Sequence, residues 1–317
     1  MRGLAVVKLA ILAALLAIST AAHAAKVTLR VGDQKGNAQA VMEAAGVLKD
    51  VPYKIEWKEF AAAAPLLEAL GAGAIDAGLV GDAPFTFAAA ANARIKAIAA
   101  IRQSREGLAI LVPEKSSIQS LDDLRGKKIA TGRGSVGHQL VLAALTAKGW
   151  TPGDVQFVFL APSNAKVAYS QGSVDAWSTW EPYVSQEEVL FKSRRVVSGE
   201  GLTPGLSFTV ATPDAIQDKR AQLEDFVSRL SSARAWSQNN VGNYAETWGR
   251  LMNVPSAVAV NWLQRARITI VPIDDAVVTD EQATIDLYFH AGLIKQKLNA
   301  AEMIDKSFAA AIAGSRL

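Results

Sequence analysis

The sequence predicts an α/β protein of two similar lobes, each a mostly parallel sheet flanked by helices, with a helical C-terminal part. Three observations carry this. Short β-rich runs alternate with helical runs from Val27 to about Thr212, the order that parallel sheets require. The pattern repeats: "GAIDAGLVGDAP" from Gly73 resembles "GSVDAWSTWEP" from Gly172 at an offset of 99, and Gly36-Asn37 matches Gly134-Ser135 at an offset of 98. From Thr212 onward the chain is mostly helical in pattern.

In order along the chain, "VTLRVGD" reads as a strand and "NAQAVMEAAGV" as a helix. "YKIEWKEF" is a strand, and "AAPLLEALGAG" a helix stopped by glycine. "IDAGLVG" is a strand, followed by the helix "APFTFAAAANA" with Pro84 in its first turn. "IKAIAAI" and "GLAILVP" are strands. After Pro113 the order restarts with the strand of "LDDLRGKKIATGRGS", the helix "VGHQLVLAALTAKGW", the strand "VQFVFLA", the helix "NAKVAYSQGS" and the strand "VDAWSTW". The strands "GLAILVP" and "LSFTVATP" bracket this second unit, are apolar, end at proline, and read as two crossings of a hinge. The expected division is lobe 1 over 25–110, lobe 2 over 111–208, and completion of lobe 1 over 209–317. The stretch "DKRAQLEDFVSRLSSARAWSQNN" has a helical period with a charged, solvated face.

The N-terminus sets the expected compartment. Arg2 and Lys8 precede or flank an apolar run, Leu9 to Ile18, and Ala22-His23-Ala24 forms a small-x-small site before Ala25. This is the pattern of a secretory signal over 1–24, too short to span a bilayer. Its removal leaves 31 basic against 30 acidic residues, so the formal charge falls from +3 to about +1. A near-neutral chain without a basic tract is a poor nucleic-acid binder. No cysteine occurs, which excludes disulfides and a lipid at the cleavage site. No large apolar surface element stands out, so a monomer is expected.

The stretch "KKIATGRGSVGHQL" carries Gly132, Gly134 and Gly137 at the spacing of a dinucleotide-binding loop. The context does not fit. Such a fold wants an acidic residue at the end of the next strand, and "VQFVFLAPSN" ends in Ala, Pro, Ser and Asn, with Asp154 before it. A hydrolase elbow fails because Arg133 stands where its first glycine belongs. A phosphate loop fails because Gly126-Lys127 is followed by Lys128. What remains is a glycine turn that lets backbone N–H groups and a helix N-terminus approach an anion.

Taken together, "VGDQKGN", "EALGAGAIDAGLVGDAPF", "ILVPEKSSIQSLDDLRGKKIA", "GSVGHQLVLAAL" and "QGSVDAWSTWEPY" resemble the periplasmic substrate-binding proteins of ABC importers, nearest to those for aliphatic sulfonates and close to those for taurine and nitrate. The resemblance implies a type II, Venus-flytrap clamp that captures a small anion between its lobes. It implies delivery to a membrane permease and its ATPase, with no catalytic step and no cofactor. A sulfonate suits such a cleft: it stays a monoanion, offers three acceptor oxygens and donates nothing. Neutral donors and helix dipoles can therefore hold it without a buried counter-charge.

Site candidates follow, each with its structural alternative. Gln34 and Asn37 flank the first helix start and either contact the anion, as the resemblance implies, or only shape the turn. Gly81 and Asp82 open a second helix; the Asp82 carboxylate caps the helix at Pro84, or meets an amine on the ligand. Ser135 is a helix N-cap whose hydroxyl can instead donate to the ligand, and Val136 follows it. His138 can point into the cleft or occupy a polar rim. A metal role would need partners, and no cysteine or neighbouring histidine supplies them. Asn164 either caps the helix after "FLAP" or contacts ligand. Trp177 and Trp180 face opposite sides of one strand, so one is core, and by resemblance Trp180 lines the cleft beside Glu181. Arg102 and Arg105 either reach a second ligand charge or sit on an exposed loop. The turn "GDQKG" departs from the family, which often has an aromatic residue at the position of Asp33, and the departure leaves the ligand tail open. Taurine, nitrate-like anions and thiamine-precursor-type ligands stay open. So does an exported hydrolase using Asp82 and Glu181 as acid and base.

Overall fold

A computed structural model describes residues 26–313; the expected export signal lies outside these residues. The first sheet collects β1 (Thr28–Gln34), β2 (Lys54–Phe60), β3 (Ala77–Gly81) and β4 (Lys96–Arg102), linked by α1 (Ala38–Ala44), α2 (Ala63–Gly71) and α3 (Asp82–Ala90). The chain then crosses to a second sheet. Its strands are β5 (Leu108–Val112), β6 (Lys128–Thr131), β7 (Gln156–Phe159), β8 (Ala176–Trp180) and β9 (Arg194–Ser198). Its helices are α4 (Val136–Ala147), α5 (Pro162–Ser170) and α6 (Tyr183–Phe191). The chain returns as β10 (Leu206–Ala211) and continues through α7 (Pro213–Asp218), α8 (Arg220–Asn239), α9 (Val241–Met252) and α10 (Ser256–Ala266). The edge strand β11 (Thr269–Val271), α11 (Asp275–His290) and α12 (Ala309–Ala313) close lobe 1.

The sheet orders are β2-β1-β3-β10-β4-β11 and β7-β6-β8-β5-β9. The internal repeat therefore extends to topology, and its aspartates explain the shared sequence. Asp76 accepts the N–H of Arg30 at 2.7 Å and returns its own N–H to the Arg30 carbonyl at 2.8 Å. Asp175 does the same with Lys128, at 2.7 and 2.9 Å. Each aspartate ties the start of its strand to the neighbouring one. The glycines before them, Gly73 and Gly172, have φ of 69° and 70°, the left-handed exit of a helix.

The strands of each sheet run mostly one way, with β10 and β11 reversed in the first and β5 reversed in the second. β1 pairs in parallel with β2 and β3, and β6 with β7 and β8. β10 runs antiparallel between β3 and β4, and β5 antiparallel between β8 and β9. The reason is the crossing. β10 starts opposite Gly81 and β5 opposite Trp180, the carboxyl ends of β3 and β8. A strand entering from the other lobe comes in at that rim and so runs backwards. The crossings themselves are 103–107 and 199–205, just ahead of the two apolar strands expected to form the hinge. They run side by side: the Gln103 N–H donates to Gly205 O at 3.0 Å and the Gly199 N–H to Leu108 O at 2.9 Å. A Cβ on Gly205 would meet Gln103 O at 2.5 Å, so glycine permits the approach.

Lobe 1 is packed on both sheet faces. Leu29, Val31, Phe226 and Trp248 lie on one side, and Leu66, Val80, Phe85 and Phe208 on the other. Lobe 2 buries Ile110, Ile129 and Leu140 on one face and Ala130, Tyr169 and Trp177 on the other. Val136, Leu142 and Phe157 of lobe 2 join the lobe 1 cluster around Phe87 and Tyr288, so the lobes are packed together along α3, α4 and α11. No helix among the described residues is long and apolar enough to cross a membrane.

Candidate ligand-binding cleft

Two helix starts from opposite lobes meet across the junction. On lobe 1, β3 ends at Gly81, which is the N-cap of α3. On lobe 2, β6 leads through Gly134 (φ 69°) to Ser135, the N-cap of α4, whose Oγ accepts the His138 N–H at 3.3 Å. The half-buried Val136 lies against Gly81: a Cβ on that glycine would stand 2.6 Å from Val136 Cγ1. The glycine spacing now has a physical reading. A Cβ on Gly137 would meet Ser178 O at 2.5 Å, so this glycine lets α4 lie on β8. One on Gly134 would meet the Phe87 ring of lobe 1 at 2.8 Å. Strand–turn–helix packing accounts for Gly134 and Gly137 here.

Asp82 does not cap its helix. α3 begins at Asp82 itself and carries no side-chain cap. The carboxylate is buried, and its Oδ2 accepts from Gln139 Nε2 of lobe 2 and from Thr284 Oγ1 of α11, both at 2.8 Å. Burial pushes its pKa up, against the pull of these donors. Glu281 is buried nearby, accepts from Thr86 Oγ1 at 2.5 Å, and is pushed well up by burial and by the Asp82 charge. Tyr288 adds another bond between lobes, its hydroxyl donating to Ser135 O at 3.2 Å.

His138 does not point into the cleft. It is 1 % exposed and its Nδ1 accepts the Gly134 N–H at 3.1 Å, which leaves its proton on Nε2. The rings of Phe157 and Phe159 stand edge-on at 4.8 and 4.9 Å. Burial, and then the charge of Arg133, lower its pKa to about 4. It is a brace beneath the glycine turn.

In the first turn, Gln34 is half-buried at the end of β1. Gly36 has φ 81°, and its carbonyl accepts from Trp248 Nε1 at 2.7 Å. Asn37 is the N-cap residue of α1 without capping it; its Oδ1 accepts from Arg234. The capping acceptor is Asp33, buried, with Oδ2 taking the Gln39 N–H at 2.8 Å. Burial is the largest influence on Asp33 and raises its pKa to about 6, although backbone donors pull the other way.

The remaining candidates separate. Asn164 is exposed on the first turn of α5, where Ala161 is the N-cap. Trp177 is core at 1 % exposure, while Trp180 is half-buried at the rim, 6.3 Å from Tyr183. The Glu181 side chain is 7 % exposed and accepts from Arg265 of α10 at 2.8 Å and from the Ser185 N–H at 3.0 Å, so it is committed to the protein. Asp82 and Glu181 are each held by protein donors, Asp82 by Gln139 and Thr284 and Glu181 by Arg265 and Ser185. Arg102 pairs with Asp280, and Arg105 is exposed. Sequence reading missed Gln139, Arg234, Arg265, Glu281, Thr284 and Tyr288. A usable signal existed for three of them: Glu281, Thr284 and Tyr288 share the buried stripe of α11 with Val277 and Ile285.

Two of these groups predict opposed pH effects. Asp33 titrates near 6 folded against an ordinary 3.8, so the folded chain binds more protons between those values. Stability is thus gained as pH falls through that window. His138 titrates near 4 folded against 6.5, so the unfolded chain binds more protons and stability is lost as pH falls from 6.5 to 4. Each contribution is about 3 kcal/mol. Urea unfolding at pH 4.5, 5.5 and 7 should show a steeper acid loss in Asp33→Asn and a shallower one in His138→Asn. An acid limb in Asp33→Asn parallel to the wild type would contradict this assignment.

The model of the family described as NMT1/THI5 like matches residues 53–240, from the start of β2 region to the end of α8. The chain belongs to the NMT1/THI5-like family. An Escherichia coli (strain K12) relative, provisionally named an aliphatic sulfonates-binding protein, is 34 % identical over 94 % of this chain and 96 % of its own length. Among solved structures, the alkanesulfonate-binding protein of Xanthomonas axonopodis pv. citri bound to MOPS is 30 % identical, with TM-score 0.83, covering 88 % of this chain and 98 % of that one. The periplasmic aliphatic sulphonate binding protein of Escherichia coli is 31 % identical with TM-score 0.80, covering 88 % and 92 %. This NMT1/THI5-like chain thus shares its two-sheet periplasmic binding protein fold with clamps that hold a sulfonate.

Proposed function

We propose that this chain is the periplasmic solute-binding component of an ABC importer. It captures an organosulfonate between its lobes and hands it to the membrane permease. The observation that carries this is the meeting of two helix N-termini, at Gly81 and at Ser135, each reached through glycine and placed on opposite lobes. Such ends present neutral N–H donors and the positive ends of two helix dipoles. An acceptor-only monoanion satisfies them without a proton or counter-ion. Each charge-assisted bond contributes about 1.5–3 kcal/mol, so three or four, less the cost of association, reach micromolar affinity. Trp180 at the rim offers apolar surface to an alkyl tail. The relatives' sulfonate-binding names and the MOPS-bound neighbour support the same class.

Alkanesulfonates are favoured over taurine because the carboxylates that could meet an amine, Asp82 and Glu181, are already bound by Gln139, Thr284 and Arg265. Calorimetric titration of refolded protein tests this with butanesulfonate, MOPS, taurine, nitrate, sulfate and NAD. One-to-one binding of butanesulfonate or MOPS, at least ~10-fold tighter than taurine, is the expected result. Silence from every sulfonate, or hydrolysis of sulfate esters that is lost in Ser135→Ala, would overturn the reading.

A further inference from the structure

We propose that Arg234 is a positioning residue. It fixes the Asn37 side-chain amide with its oxygen inward, so that the amide NH2 faces the cleft as a donor to the sulfonate. This rests on the sulfonate reading above.

The argument begins with the guanidinium. Arg234 is 2 % exposed on the buried face of α8, among Phe226, Val227, Leu230 and Ala233. A core-facing helix position of this kind is ordinarily filled by an apolar side chain, since a buried charge is costly unless fully partnered. Arg234 is incompletely partnered. Its Nε has no hydrogen-bond partner among the described residues. The neighbouring buried groups, Asp33 Oδ1 and Tyr244 Oη, also lack partners.

What Arg234 does reach is Asn37 Oδ1. An arginine only donates, so the amide oxygen must be the atom facing it. The amide is planar, and its NH2 is then turned away from the core, at a residue that is half-exposed on the rim. No acceptor for that NH2 occurs among the described residues. Asn37 is also excused from the usual duty of its position. It stands at the N-cap of α1 without a capping bond, because Asp33 holds the Gln39 N–H instead. The Gln39 N–H is thereby occupied, and the Asn37 side chain is a donor this turn offers to a ligand.

The consequence is a preference. With its oxygen held by Arg234, Asn37 presents donors only. A sulfonate accepts from every oxygen and suits them, whereas an alkylphosphonate monoanion carries a P–OH that needs an acceptor. The test compares butanesulfonate with butylphosphonate at pH 6 by calorimetry. In the wild type, the sulfonate should bind at least 100-fold tighter. Asn37→Asp keeps an oxygen on Arg234 but turns the second oxygen on the ligand. It should lose at least 100-fold for the sulfonate, retain the phosphonate, and melt no lower than the wild type. Arg234→Met should lose about 10-fold for the sulfonate and narrow the preference, while costing nothing further in an Asn37→Ala background. Arg234→Gln, which can still donate to Oδ1, is the variant to use if Arg234→Met does not fold. It should recover most of the preference.

An equal loss from the arginine substitution with and without Asn37 would make Arg234 merely structural and overturn the inference. So would unchanged sulfonate affinity in Asn37→Asp. A wild type that binds no sulfonate would instead overturn the reading on which the inference stands.

Discussion

Replacing Arg265 by methionine is expected to cost about 3–5 kcal/mol of stability, the penalty for leaving a buried charge without its partner. Arg265 reaches from α10 of lobe 1 to two carboxylates of lobe 2: Glu181 Oε1 at 2.8 Å and Glu188 Oε2 at 2.6 Å. Glu188 in turn holds Arg195, whose guanidinium donates to Glu106 O in the first crossing at 2.6 Å. The Glu181 N–H donates to Gly107 O at 2.9 Å. The cluster therefore binds both lobes to the hinge itself. Without Arg265, Glu181 keeps the N–H and hydroxyl of Ser185 but no cation. Two comparisons separate this mechanism from a simple packing loss. Arg265→Met should recover stability as pH falls, because burial already pushes the Glu181 pKa up and the lost cation was what opposed it most. Arg265→Met with Glu181→Leu should recover much of the loss, since an apolar pair of similar volume replaces a buried ion pair at little net cost. Urea unfolding measures all three. A loss below about 1 kcal/mol in Arg265→Met would place the pair among surface bridges of small effect.

Why was this cluster invisible in the sequence, when the lobes were legible? The lobes are written in short-range features. A strand, a glycine exit and an aspartate that ties two strand starts recur at nearly one offset, and each is decided within a few residues of itself. Ser135 was legible as a cap for the same reason, since a cap bonds three residues on. Strand direction was not legible at β5 and β10, because the path of the hinge decides it and local pattern carries no trace of that. The side chains whose partners the sequence does not show have distant ones. Glu181 meets Arg265 across 84 positions, Asp82 meets Thr284 across 202, and Asn37 meets Arg234 across 197. For His138 the sequence allows the cleft or a polar rim, because a histidine on the first turn of a helix can face a cleft. Phe157 and Phe159, on the next strand, enclose it instead. Polar residues near a glycine turn were thus found as a group, while the assignment of each to ligand or protein needed the third dimension.

Gly81→Leu is expected to abolish tight ligand binding while leaving the lobes folded. Gly36 and Gly134 are glycines for conformation, with φ of 81° and 69°. Gly81 is different. Its φ of −68° and ψ of 160° suit any residue, so substitution brings no backbone strain. What glycine supplies there is space. Even a Cβ would lie 2.6 Å from Val136 Cγ1 on the opposite lobe, closer than real Cβ contacts come. The backbone of Val136 is held in place, because Gly137 beside it has α4 pressed against β8. A turn of the Val136 side chain can relieve an alanine, whereas a leucine needs the lobes to part. A wedge of this kind acts on closure alone. The melting temperature of the ligand-free protein should stay within a few degrees of the wild type. A closed state disfavoured 100-fold, about 2.7 kcal/mol, lowers apparent affinity by the same factor when the ligand needs that state. Affinity for butanesulfonate should therefore fall at least 100-fold in Gly81→Leu and less in Gly81→Ala, with Val136→Ala restoring part of the latter. Small-angle scattering at saturating ligand should show the radius of gyration falling in the wild type and staying open in Gly81→Leu. Wild-type affinity in Gly81→Leu would mean that ligand capture does not require the Gly81–Val136 contact, and the two helix N-termini would then have to be assigned to something other than one shared site.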